Sequence, residues 1–308
     1  MKKNNNEYAI IMAGGIGTRF WPLSTTKKPK QFHDVLGTGR TFIQMTFDRL
    51  KKIVPVENIF VVTSQEYVDI TMEQLSELHP LNIIREPQTI NTAACNLLAS
   101  LIIRKINPKG KIIVAPSDHL ILNEDNFRDQ VNFAFEQCDS EKLITLGMKP
   151  TRPETGYGYI QYNHLNSERI SKVISFTEKP SLEIAETLVQ SGEFLWNSGI
   201  FIWSAEAILN AFQEHLPNMY QILNAYFDSG TNNEVVLKSI YSTLAKVSID
   251  VAILEKSKNV FVIPSSFDWT DLGTWNSLFE YGTKNEEANI TKGKHIQTYN
   301  TKGSIIYN

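Results

Sequence analysis

Glycines at 14, 15 and 17 crowd the stretch "AGGIGTR", Ala13 to Arg19, and a second cationic stretch, "TTKKPK", ends at Lys30. Gly14, Gly15 and Gly17 let a backbone turn sharply and bring several N–H groups against an anion. Arg19 is always charged and its planar fork spans two phosphate oxygens. Lys30 adds a compact positive charge. The chemistry open to such a set is the holding of phosphate. Lys27 and Lys28 read as solvated loop charges. Thr18 and Ser24 read equally well as hydroxyl donors or as plain turn residues.

A glycine loop alone has rivals. A dinucleotide site of the G-x-G-x-x-G type needs a third glycine where Phe20 stands, and an acidic residue after the second strand, which "NIFVVTSQ" lacks. A P-loop, GxxxxGK[ST], occurs nowhere. An oxidoreductase on a dinucleotide-binding sheet is therefore disfavoured. A bare tight turn would not require Arg19 and Lys30 beside it.

The elements that must position this loop follow from hydrophobic period. "YAIIMA" is a continuous apolar run, as in a strand buried on both faces. "NIFVVT", "LNIIRE", "KIIVAP" and "KLITLGM" repeat that pattern. Between them, "FIQMTFDRLKKIV", "YVDITMEQLSEL", "NTAACNLLASLIIRKI" and "FRDQVNFAFEQC" carry helical spacing, the third opened by an Asn or Thr cap. Alternation of this length predicts βαβ units, a mostly parallel sheet and helices on both faces. Beyond "TGYGYIQY" the pattern is less regular. There "RISKVISFTEKP", "SGIFIWSA" and "NVFVIPSS" read as strands, and "SLEIAETLVQ" and "AEAILNAFQEHL" as helices. Ligands on such sheets bind beyond the carboxyl ends of strands. The glycine loop stands there after the first strand, Asp118 of "APSDH" after "KIIVAP", and Asp271 of "DWTDLG" after "NVFVIP". A lone Asp after a strand is ordinarily a cap or turn former.

The 308 residues can bury a large core, and 42% hydrophobic with 20% charged residues is ordinary for a globular protein. A net charge of −3, with no basic stripe longer than "TTKKPK", argues against nucleic-acid binding. No run reaches the length of a membrane span, and the N-terminal apolar run is too short for a signal peptide. Two cysteines, Cys95 and Cys138, make a disulfide framework improbable and a cytoplasmic, reducing setting the expectation.

The whole segment "AGGIGTRFWPLSTTKKPKQF" resembles the signature of the sugar-1-phosphate nucleotidyltransferases, and "KPKQF" resembles their mannose-1-phosphate guanylyltransferase branch. "REPQTINTAA", "APSDH", "ETGYGYI", "FTEKP", "FLWNSGIFIW", "SIDVAILEKS" and "FDWTDLGTW" match the same branch in order, from Tyr8 to about Trp275. Relatives usually carry Arg at the place of Ile90. The resemblance implies a Rossmann-like, mostly parallel mixed sheet flanked by helices, of the nucleotide-diphospho-sugar transferase type. It implies a transferase domain over 1–285, whose N-terminal part binds nucleotide and whose 150–285 part binds sugar phosphate. Residues 286–308 read as a short β-like tail, the start of a further segment.

The reaction the resemblance implies joins GTP to α-D-mannose 1-phosphate, giving GDP-mannose and pyrophosphate with Mg²⁺. It assigns Arg19 to the triphosphate, Lys30 to the α-phosphate, and Asp118 and Asp271 to the metal, with Asp268 a weaker candidate. Ala13, Gly14, Gly15, Gly17, Thr18 and Ser117 would border the nucleotide, and Glu86, Asn91, Thr92 and Ala93 its base. Glu178 and Asn197 would meet sugar hydroxyls, Lys179 the sugar's phosphate, and Gly158 would let the chain pass close to the ring. His119 is expected to support the site rather than bind zinc. A homodimer, a nucleotidyltransferase for another hexose 1-phosphate or nucleotide, and a catalytically silent sugar-nucleotide-binding subunit on the same fold all stay open.

Overall fold

The computed structural model describes residues 5–163, 168–231 and 233–307. Its first half alternates as the hydrophobic period predicts: β1 (Glu7–Met12), α1 (Phe42–Leu50), β2 (Ile59–Ser64), α2 (Val68–Gln74), β3 (Ile83–Glu86), α3 (Thr92–Ile106) and β4 (Lys111–Pro116). A short β5 (Leu120–Ile121), α4 (Glu124–Gln137) and β6 (Leu143–Met148) follow. The second half contains β7 (Tyr159–Tyr162), β8 (Ser171–Thr177), α5 (Leu182–Ser191), β9 (Phe194–Ser204) and α6 (Ala205–His215). It continues through α7 (Pro217–Asp228), α8 (Glu234–Thr243), a π-helical turn (Asp250–Leu254), β10 (Val260–Ser265), β11 (Trp269–Thr270) and α9 (Trp275–Tyr281). The small strands β12 (Ile290–Lys292) and β13 (Ile305–Tyr307) close the described chain.

One nine-stranded sheet runs β3-β2-β1-β4-β9-β6-β10-β8-β7. Its first four strands are parallel, as expected. Strand β9 then runs against both β4 and β6, so the second half is mixed. At eleven residues β9 is long enough to pair with β4 and β6 and, near its start, with β7. Gly147 of β6 permits the crossing: a Cβ there would stand 2.6 Å from Val262 and 2.7 Å from Leu195.

Alternation along β1 shows why both faces are covered. Ala9 and Ile11 join a core with Ile43 and Phe47 of α1 and Phe127 and Val131 of α4. Tyr8 and Ile10 join another with Leu97 and Leu101 of α3, Phe212 of α6 and Leu223 of α7. Successive side chains of a strand point to opposite faces, so a strand without polar positions must be sandwiched.

Two helices differ from their periodic reading. Thr41 and Gln44 form the reciprocal cap that starts α1. The Gln44 side chain also donates to the carbonyl of Gln74 at 2.9 Å, which closes α2 there although the apolar spacing continues to Leu78. Strands β12 and β13 pair in parallel as a separate sheet, and the Tyr307 hydroxyl donates to Val35 O at 2.7 Å.

Candidate active site

The glycine loop leaves β1 with its carbonyls tied inward. Gln31, 2% exposed, donates through Nε2 to Ala13 O and to Gly15 O, both at 2.9 Å. The Thr63 hydroxyl donates to Ala13 O at 3.0 Å, and Ser24 donates to Ile16 O at 2.5 Å. Ser24 is therefore spent on the loop itself and is no free donor. With carbonyls anchored on the protein side, Gly14 and Gly15 border an open cavity. Gly17 has φ 65°, and a Cβ on it would meet Lys30 Cβ at 2.7 Å, so both its conformation and its neighbour demand glycine.

Lys30 is 3% exposed and its ammonium is committed in all three directions. It donates to Asp118 Oδ2 at 2.9 Å, to Asp118 O at 3.2 Å and to Asp271 O at 2.6 Å. Lys30, expected over the α-phosphate, is thus the knot that draws the Asp118 carboxylate and the Asp271 main chain together. The antiparallel pair β5–β11, with Thr270 opposite Leu120, completes the convergence. For Asp118, burial alone would raise the carboxyl pKa, but the Lys30 charge, with help from His119 and the Lys30 hydrogen bond, holds it below its usual value.

Asp271 accepts from the Tyr157 hydroxyl at 2.8 Å and from Gly273 N–H at 2.8 Å, both on Oδ1. Its Oδ2 faces the Arg19 guanidinium at 3.6 Å. Burial first, and the Asp271 charge second, push the Tyr157 phenol up, so it remains a donor. Trp269 donates to His119 Nδ1 at 3.1 Å, and burial lowers the His119 pKa to about 4, which keeps that ring neutral and accepting. His119 thus anchors the Trp269 side of the wall. Among the described residues no three His, Cys, Asp or Glu side chains cluster as ligands would. Two carboxylates without nitrogen or sulfur donors suit a hard ion that takes its other ligands from phosphate and water.

Two cavity lobes meet at Met12, Thr92 and Pro116. One, of about 340 Å³, is bordered by Gly14, Gly15, Gly17, Glu86, Asn91, Thr92, Ser117 and Asp118. The other, of about 240 Å³, is bordered by Arg19, Gly158, Glu178, Lys179, Asn197 and Asp271. Asp268, with φ 53°, borders a different groove with Lys149 and Arg152, away from the acid pair. Ala13 and Ala93 are wholly buried, and their N–H groups are spent on Val62 O and Val247 O. Neither offers a donor to a ligand. Thr18 is exposed at the start of a 3-10 turn.

In the first lobe Glu86 is 3% exposed, and its Oε1 has no hydrogen-bond partner. Burial pushes its pKa up to about 8. Asn91 caps α3 with φ 81° and accepts from Thr92 N–H at 2.8 Å. In the second lobe Glu178 accepts from Lys179 Nζ at 2.6 Å, and a Cβ on Gly158 would sit 2.6 Å from Glu178 Oε2. Asn197 accepts from Thr145 Oγ1 and from Gly199 N–H, both at 3.1 Å, and donates to Asp250 Oδ1 at 2.8 Å.

Gln31 and Asp250 received no role from the sequence, although each lies inside a quoted motif, "KPKQF" and "SIDVAILEKS". A glutamine among lysines shows its function only through the carbonyls it meets. Asp250 could have been suspected as an acid embedded in an apolar run.

Fold and site together define a nucleotidyl transferase: the profile of the Nucleotidyl transferase family matches residues 8–288, and the chain belongs to that family. Within it, the chain is 35% identical over 302 residues to a mannose-1-phosphate guanylyltransferase of Sinorhizobium fredii (strain NBRC 101917 / NGR234), covering 96% of this chain and 59% of the relative. It is 35% identical over 311 residues to the enzyme of that name from Escherichia coli (strain K12), covering 97% and 64%. The chain thus spans about three fifths of the length of these relatives. A crystal structure described as a mannose-1-phosphate geranyltransferase from Thermus thermophilus superposes with a TM-score of 0.88 at 29% identity, covering 98% of this chain and 87% of that one. No helix among the described residues is long and apolar enough to cross a membrane.

Proposed function

We propose that this chain transfers GMP from GTP to α-D-mannose 1-phosphate, giving GDP-mannose and pyrophosphate. The observation that carries the reading is the Lys30 knot: it ties Asp118, which borders the lobe beside the glycine loop, to the main chain of Asp271, which borders the adjoining lobe with Glu178 and Asn197. A phosphate oxygen of the sugar attacks the α-phosphorus in line. That oxygen is already anionic near neutral pH, since a phosphate monoester's second pKa is about 6. No general base is needed, and catalysis rests on alignment and charge stabilisation.

Asp118 and Asp271 would hold Mg²⁺, which when bound supplies charge neutralisation between the two polyanions. The loop amides of Gly14 to Gly17 orient the phosphates, and Arg19, 63% exposed, turns from its loose pairing with Asp271 at 3.6 Å onto the departing pyrophosphate. The orphaned Glu86 carboxyl suits guanine, which presents N1–H and N2–H donors side by side on one edge. Only the ionised carboxylate lacks a donor for the acceptor that adenine carries at that ring position, so the discrimination goes with loss of the Glu86 proton. Glu178 and Asn197 take sugar hydroxyls, and Lys179 takes the sugar's phosphate.

Pyrophosphate release from four nucleotides against several hexose 1-phosphates, with and without EDTA, tests this. The expected result is turnover with GTP and mannose 1-phosphate that EDTA abolishes. Turnover with another pair would reassign the substrates. Tight GDP-mannose binding without turnover of any pair would mean a silent binding subunit.

A further inference from the structure

The sugar-binding lobe contains a second buried acid. We propose that Asp250 is a specificity-determining residue that accepts a hydrogen bond from a hydroxyl of the hexose next to the one taken by Glu178; this rests on the sugar-phosphate reading above.

Three observations carry it. First, the orientation of the Asn197 amide is fixed. Its Oδ1 already takes Thr145 Oγ1 and Gly199 N–H, so its Nδ2 must face Asp250, to which it donates at 2.8 Å. Both residues border the same cavity as Glu178, and this bond leaves Asn197 Nδ2 one further hydrogen and Asp250 its second carboxylate oxygen. Second, the backbone is irregular here. Asp250 opens the π-helical turn Asp250–Leu254, a rare conformation that is frequent at functional sites. The preceding Ile249 N–H is pinned to Thr92 Oγ1 at 2.9 Å, which fixes the turn to the seam between the lobes.

Third, the carboxylate is in an unfavourable place for a purely structural group. Burial, and then the neighbouring Glu178 charge, raise its pKa to about 6. An asparagine would satisfy Asn197 equally well without that cost. Two acids side by side become favourable when adjacent hydroxyls donate to them, and a hexose presents its hydroxyls in that way. Gly158 leaves room for the ring, since a Cβ would stand 2.6 Å from Glu178 Oε2.

The test pairs Asp250→Asn with mannose 1-phosphate and its 2-, 3-, 4- and 6-deoxy analogues. The variant is expected to raise KM for the sugar phosphate about tenfold to a hundredfold, the range for a hydrogen bond to a charged group, with KM for GTP within about twofold. For wild type, one deoxy analogue carries a penalty that shrinks to near unity in the variant. A structural role would lower activity for all analogues alike and leave every penalty in place; that result overturns the proposal. Glu178→Gln, run in parallel, is expected to erase the penalty of a neighbouring hydroxyl instead. A wild-type enzyme that turns over none of the hexose phosphates overturns the reading on which the proposal rests, whereas wild-type penalties unchanged by Asp250→Asn overturn the proposal alone.

Discussion

Lys30 and Glu86 are buried charges with opposite fates. Lys30 has three oxygen partners, one for each ammonium hydrogen. Lys30→Ala is expected to reduce turnover by about two orders of magnitude or more, because both acids lose their common tether and misplacement by about an ångström costs on the order of a hundredfold. Asp118→Asn should do the same with the fold intact, and steady-state rates together with thermal melting of each variant check this. Glu86 has an unpartnered oxygen, and its pKa stands at about 8 against 4.5 in the open chain. Between those values the folded form holds a proton that the unfolded form has released, so stability falls as pH rises through the window. Glu86→Gln should flatten that fall, read by thermal unfolding at pH 5 and 8.5. Guanine binding should release the same proton. Calorimetry of GDP-mannose binding in two buffers of different ionisation enthalpy is expected to count it in wild type and to find none in Glu86→Gln.

At the scale of elements, the glycine loop is shaped by its tethers as much as by its glycines. Gln31 holds two of its carbonyls, and Gln31→Leu removes both bonds while keeping the volume. The expected loss in kcat/KM for GTP is about tenfold to a hundredfold, from one to two uncompensated polar groups; an unchanged kcat/KM would mean the loop holds its shape unaided. The strands of the first half were legible because a strand buried on both faces is apolar throughout, as "YAIIMA" and "KIIVAP" are. Helix α7 and helix α8 were not, because their ends depend on Pro217 and Asn233 within a stretch without clear period. The candidate acids were visible as types at strand ends. Their convergence was not, since it depends on a two-residue pairing, β5 with β11, too short to leave a pattern. Lys30 was visible as a charge, but its burial was decided by residues far along the chain.

Over the whole molecule, β9 belongs to both halves of the sheet at once, paired with β6 along one edge and, on the other, with β7 near its start and β4 near its end. The two lobes therefore share a rigid backbone instead of meeting across a hinge. Scanning calorimetry is expected to show the main sheet melting in one transition, with calorimetric and van't Hoff enthalpies in agreement. Two resolved transitions would mean that the halves melt separately.

The partners that Lys30 binds lie 88 and 241 positions further along the chain. During synthesis the glycine loop emerges early, and for most of translation its lysine has no complete set of oxygens to hold. A ribosome-bound chain halted before Asp271 would have a nearly finished main sheet yet no closed knot at its centre, so the acid pair assembles late and in a single step, once Asp271 has left the tunnel.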